Sequence, residues 1–142
     1  MIKFVIATHG YFAKGLKMST EFIMGKQKNL YAICAYTSEC KDFPRTIQEI
    51  LNNSQKDKII FGTDIAGGSV NNELQKIVAS DDRLHLIAGI NLPFILEFLT
   101  STESDLSKRI NESITASRKS IINFDEFINK PSTIKGDGFD SF

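Results

Sequence analysis

Four short apolar runs punctuate the chain up to residue 89, and segments with helical spacing lie between them. Lys3-Phe4-Val5-Ile6-Ala7 is the first, ending at Thr8-His9-Gly10; Leu30 to Ala35, Lys58 to Thr63 and Leu84 to Gly89 repeat it. Short runs that are apolar at successive positions, rather than alternating, are those of strands buried on both faces. Between the first two, Phe12, Leu16, Ser19, Phe22 and Ile23 follow the helical period, with Gly25 as the C-cap. Pro44 starts a second helix over Thr46 to Leu51, and Ser69 is expected as the N-cap of a third over Val70 to Ala79. The order βαβαβαβ predicts an α/β fold: a mainly parallel open sheet with right-handed crossovers and helices on both faces.

Beyond the fourth run, Pro93 opens a helix over Phe94 to Leu99, and a further segment from Glu103 to about Ile122 carries the stripe Leu106, Ile110, Ile114 and Ile121. This helical extension, with room for an edge strand, either caps the sheet or meets a second subunit. Residues 130–140 are rich in loop formers, which predicts one domain over 1–128 and a weakly ordered tail over 129–142. The length of 142 residues and a hydrophobic content of 42% suit one domain with a real core.

Charge narrows the partners. Seventeen basic and seventeen acidic residues leave a formal net charge of zero, so no broad attraction to nucleic acid or anionic membrane is expected. The opening MIKFVIATHG turns polar too soon for a signal-peptide core or a membrane span, which predicts a cytoplasmic protein without membrane insertion. Cys34 and Cys40 lack CxxC spacing and a neighbouring histidine, so free thiols are expected and no metal site.

In open parallel sheets, ligands gather at the carboxyl ends of the strands, where loops and helix N-termini converge. The first strand delivers His9 there, next to a glycine. The third delivers Thr63-Asp64-Ile65-Ala66-Gly67-Gly68-Ser69, a carboxylate followed by two glycines and a hydroxyl at a helix start, where backbone N–H groups face an anion such as a phosphoryl group. If the strand order is the flavodoxin-like 2-1-3-4, His9 and Asp64 share one rim of the sheet. Asp64 then fixes one ring nitrogen of His9 and leaves the other free to attack phosphorus, with no metal or cofactor required. Taken singly, each residue also has a duller reading: a surface-loop histidine, a turn aspartate, a glycine turn. His85, among Leu84, Leu86 and Ile87, is expected as a core or edge histidine rather than a second catalytic one.

Val5-Ile6-Ala7-Thr8-His9-Gly10, the run Thr63 to Asn72, and Ile87-Ala88-Gly89-Ile90-Asn91-Leu92-Pro93 together resemble the IIA domains of the mannose family of the bacterial sugar phosphotransferase system. The resemblance implies a phosphocarrier with a phosphohistidine intermediate: His9 takes phosphate from the histidine-containing phosphocarrier protein and gives it to a IIB domain during sugar uptake. It implies Asp64 as the partner of that histidine, and Gly67, Gly68 and Ser69 beside the phosphoryl group. It also implies a homodimer, the family's usual state. The chain departs from the family pattern at Ala66, where an aromatic is common, at Val70, where a proline is common, and at Ile65, where some members carry threonine. Three other readings stand beside it. A histidine phosphatase shares the His-Gly turn but has an arginine where Thr8 stands; a phosphotransfer subunit feeding dihydroxyacetone kinase shares the fold and the histidine; a non-catalytic nucleotide- or flavin-binding module needs only the architecture.

Overall fold

The computed structural model describes residues 1–128, so the tail expected over 129–142 lies outside the described residues. Four strands, β1 (Ile2–His9), β2 (Leu30–Ala35), β3 (Lys58–Thr63) and β4 (Leu84–Ala88), alternate with helices α1 (Phe12–Met24), α2 (Phe43–Asn52) and α3 (Ser69–Val78). Helices α4 (Leu92–Thr100) and α5 (Leu106–Lys119) follow. All three strand pairings are parallel and the order is β2-β1-β3-β4, the expected open sheet. Among the described residues no strand follows β4.

Successive residues of a strand point to opposite faces, and β1 divides its side chains accordingly. Phe4 and Ile6 join one buried cluster with Ala13, Leu16, Phe94, Ile95 and Phe98, beneath α1 and α4. Val5 and Ala7 join the other with Phe43, Ile47, Val70 and Leu74, beneath α2 and α3. Both faces are therefore covered, which is why the strands are apolar throughout. The C-terminal extension takes up its apolar faces within the chain: α4 covers the sheet beside α1, and α5 packs on α4 through Leu106, Ile110 and Ile114.

Three local expectations change. The buried residues of α1 are Ala13, Leu16 and Thr20, whereas Phe12, Ile23 and Phe22 are exposed, Phe22 at 93%. Small residues let α1 approach the sheet closely, and Thr20 satisfies its buried hydroxyl by donating to the Leu16 carbonyl at 2.7 Å. In α2 the helix begins earlier than Thr46, because Asp42 acts as N-cap by accepting from the Arg45 N–H. Ser120 ends α5, so Ile121 falls outside the stripe and is exposed. Cys34 and Cys40 are buried free thiols, as expected. Among the described residues no helix is long and apolar enough to cross a membrane.

Candidate functional site

β1 and β3 are neighbours with Ala7 opposite Thr63, so His9 stands beside the residue that leaves β3, Asp64. The carboxylate receives two hydrogen bonds from His9 on the same oxygen. The backbone N–H donates to Oδ2 at 2.9 Å, and ring Nδ1 lies 2.8 Å from it. An ionised carboxylate only accepts, so this contact assigns the hydrogen to Nδ1 and leaves the lone pair of the neutral ring on Nε2. The other oxygen, Oδ1, accepts from the Ile65 N–H at 3.1 Å. Burial pushes the Asp64 carboxyl up, but the two hydrogen bonds from His9 outweigh it and hold the group below the usual carboxylate range. The side chains differ in access: that of His9 is 39% exposed and that of Asp64 15%, so the ring is reachable while its partner is sheltered.

Nε2 faces the Ser69 hydroxyl at 3.2 Å. Ser69 is the first residue of α3, and Gly68 occupies the N-cap. This corrects the expectation of Ser69 as cap: its hydroxyl turns to the histidine ring instead of to its own helix, and α3 has no side-chain cap. The first amides of a helix lack intrahelical partners, so an uncapped start is suited to receive an anion. The two glycines have separate reasons. Gly67 has φ +76, the left-handed region that glycine tolerates best. Gly68 has an ordinary φ of −77, but a Cβ there would stand 3.0 Å from His9 Cε1 and 3.1 Å from Ile65 Cγ1. The ring rests against bare backbone.

The end of β3 is tied to α3 by a buried hydrogen bond, in which Thr63 Oγ1 donates to Asn71 Oδ1 at 3.0 Å. Thr8, buried under the rim, accepts from the Ala13 N–H at 2.7 Å and fixes the start of α1 directly after His9. Neither role was legible as a motif.

The structure thus brings His9, Asp64, Gly68 and Ser69 together at the rim, while Gly67, in the same turn, contributes its positive φ. It adds one that sequence reasoning missed. Tyr36 follows β2, whose last residue Ala35 pairs with His9, and its hydroxyl donates to Ser69 Oγ at 2.9 Å. The Tyr36 and His9 rings lie 5.7 Å apart at 39°. Its signal was available in principle, since the order 2-1-3-4 puts the end of β2 on the same rim. His85 lies near the amino end of β4, half-buried and away from the rim; burial, with Lys58 as a smaller cause, lowers its pKa from the ordinary value. Among the described residues no group of three or more His, Cys, Asp or Glu side chains is arranged to hold a metal ion.

Known proteins resemble this chain in sequence and in fold. The family model EIIA-man, PTS system fructose IIA component, matches residues 3–115. The fructose-specific EIIA component of Bacillus subtilis (strain 168) is 32% identical over 96% of this chain and 96% of its own length. The mannose-specific EIIAB component of Escherichia coli (strain K12) is 29% identical over 75% of this chain, which spans 33% of that longer protein. A solved Klebsiella pneumoniae structure, described as a phosphoenolpyruvate-dependent sugar phosphotransferase system permease, superposes with a TM-score of 0.81 at 36% identity, over 87% of this chain and 91% of that one. The mannose/sorbose-specific IIA subunit from Enterococcus faecalis, 19% identical with a TM-score of 0.78, shares the fold. A match over residues 3–115, together with a full-length relative above 30% identity, places the chain in the EIIA-man family of phosphotransferase-system IIA components.

Proposed function

We propose that this chain is a phosphoryl carrier of a sugar phosphotransferase system, with His9 as the residue phosphorylated. The observation that carries the reading is the division of labour on one imidazole: Nδ1 is engaged by Asp64 at 2.8 Å, while Nε2 carries the lone pair on a ring that solvent can reach. The donor is the histidine-containing phosphocarrier protein and the acceptor a IIB domain. The Nε2 lone pair forms the new N–P bond as the donor's N–P bond breaks, and that electron pair returns to the donor's ring nitrogen. Nδ1 keeps its hydrogen, so no proton leaves His9. The positive charge that grows on the ring is balanced by Asp64, and the phosphoryl oxygens meet the Ser69 hydroxyl and the amides at the start of α3. Gly67 and Gly68 allow that approach. In the onward step the His9 N–P bond breaks as a nucleophile of the IIB domain bonds to phosphorus, the electron pair returns to Nε2, and the same groups serve. The family's usual homodimer and a cytoplasmic location belong to the same reading.

The test is to incubate the purified protein with phosphoenolpyruvate, the general phosphotransferase enzyme and the histidine phosphocarrier, then to locate acid-labile phosphate by mass spectrometry. One phosphoryl group on His9 is expected. No label with donors that phosphorylate a control IIA domain would overturn the reading. Onward transfer to a IIB domain, rather than to a dihydroxyacetone kinase subunit, is expected from the labelled protein.

A further inference from the structure

Tyr36 stands out among the rim residues because its backbone is unfavourable for its side chain. Its φ is +64, the only positive value at a non-glycine position among the described residues. A bulky side chain in the left-handed region is strained by roughly 1–2 kcal/mol, and such strain persists only where the surroundings impose it. They do so here. The Tyr36 N–H donates to the Cys40 carbonyl at 3.0 Å, the Cys40 N–H to the Thr37 carbonyl at 3.1 Å, and the Thr37 hydroxyl to the Cys34 carbonyl at 2.7 Å. Glycine would occupy the position without strain. Packing does not account for the tyrosine, which is 56% exposed. What its side chain does make is the hydrogen bond to Ser69 Oγ at 2.9 Å.

We infer that Tyr36 is a positioning residue for phosphoryl transfer, holding the Ser69 hydroxyl so that it serves Nε2 in the resting protein and a phosphoryl oxygen after transfer. The inference deepens the phosphocarrier reading and rests on it. Because the Tyr36 O–H donates to Ser69 Oγ, that oxygen accepts from tyrosine, and its own hydrogen is free for the Nε2 lone pair 3.2 Å away. The order is Tyr36 to Ser69 to His9, with Asp64 on the far side of the ring. When the Nε2 lone pair becomes the N–P bond, it no longer accepts, and the Ser69 hydrogen turns to an oxygen of the arriving group. Tyr36 keeps Ser69 Oγ in place through this exchange. No proton changes owner. A chain of hydroxyls polarised in one direction also makes Ser69 a stronger donor than it would be alone.

Tyr36→Phe retains the ring and removes only the hydroxyl. Phosphoryl acceptance from the histidine phosphocarrier is expected to slow about 3- to 10-fold, the range for one neutral hydrogen bond felt through an intermediary. The nitrogen-15 resonance of His9 Nε2, read by NMR on the unphosphorylated protein, should move in the same direction as in Ser69→Ala and by a smaller amount. In a Ser69→Ala background, Tyr36→Phe should change neither the rate nor the resonance. Tyr36→Gly removes the strain as well as the side chain; it should be at least as stable as the wild type and transfer no faster than Tyr36→Phe. A wild-type protein that takes up no label would remove the carrier reading and this inference together. A labelled wild type, with Tyr36→Phe unchanged in rate and in the Nε2 resonance, would overturn the inference alone. So would additive slowing in the double variant, since Tyr36 would then act without Ser69.

Discussion

Gly68→Ala adds a single methyl group against the His9 ring, and the structure says what that methyl meets. The added Cβ would stand 3.0 Å from His9 Cε1, with Ile65 Cγ1 at 3.1 Å and Cδ1 at 3.2 Å. Contacts of this kind begin comfortably near 3.4 Å, so the ring or Ile65 must retreat by about 0.4 Å. Ile65 is exposed and can move, but the ring has less freedom. Cε1 is the carbon between the two ring nitrogens, and pushing it displaces Nδ1 from Asp64, now 2.8 Å away, and Nε2 from Ser69, already at 3.2 Å. Weakening one charge-assisted and one neutral hydrogen bond is worth about 1.5–3 kcal/mol, which at 1.36 kcal/mol per decade slows transfer roughly 10- to 100-fold. Stability should scarcely change. The Gly68 φ of −77 and ψ of 164 are open to alanine, and exchanging glycine for alanine at an N-cap costs under about 1 kcal/mol. The assay is the single-turnover rate of phosphoryl uptake from the labelled histidine phosphocarrier, with urea unfolding in parallel. A variant that transfers at the wild-type rate would refute the argument that the bare backbone at Gly68 sets the ring's position, and a loss of stability above about 3 kcal/mol would assign the defect to folding instead.

The other predictions address separate parts of the same rim. His9→Ala should abolish phosphoryl acceptance while changing stability by no more than about 1–2 kcal/mol, since the half-exposed ring contributes little packing; retention of full labelling would end the assignment. Asp64→Asn should slow transfer about 10- to 100-fold by removing the charge that balances the phosphorylated ring, read by the same single-turnover assay. It should also have a pH signature: the folded-state pKa of Asp64 lies below its ordinary value near 3.9, so its stabilising contribution is complete above that value and is lost as pH falls through the folded value. The stability difference between wild type and Asp64→Asn, from unfolding titrations, should therefore be constant near neutrality and shrink only below about pH 4. Thr63→Val keeps the shape but leaves the buried Asn71 carbonyl without its donor, and should destabilise by about 1–3 kcal/mol in urea.

The strands were legible because burial on both faces demands uninterrupted apolar runs, and the flavodoxin-like order 2-1-3-4 expected of such a chain is the one observed, with His9 and Asp64 side by side at the rim. The face of α1 was not. Counting hydrophobic positions favours Phe12, Phe22 and Ile23, whereas a helix pressed against a sheet needs small residues at the contact, and Ala13 and Thr20 fill it. Periodicity weighs polarity and is blind to side-chain volume. Thr20 is also read as polar until its internal bond to the Leu16 carbonyl is seen.

Within the site, the misreadings share a physical cause. Serine is a strong N-cap, and a rule based on local preference assigns Ser69 to that position. In the structure glycine takes the cap, and the serine hydroxyl is drawn to the histidine ring and to Tyr36. The same rules would put glycine or asparagine at φ +64, yet the position holds a tyrosine. In both places the locally preferred arrangement, a serine hydroxyl turned to its own helix at Ser69 and a glycine or asparagine in place of Tyr36, would have taken a hydroxyl away from the neighbourhood of Nε2. Local preferences are usually consistent with a fold, and they are set aside where a tertiary contact is worth more than the cap or the relaxed turn. The exceptions at Ser69 and Tyr36 belong to segments far apart in the chain and meet at one hydroxyl oxygen, 3.2 Å from the nitrogen that carries the lone pair. Two independent local costs converging on one atom are harder to attribute to folding than to chemistry at that atom.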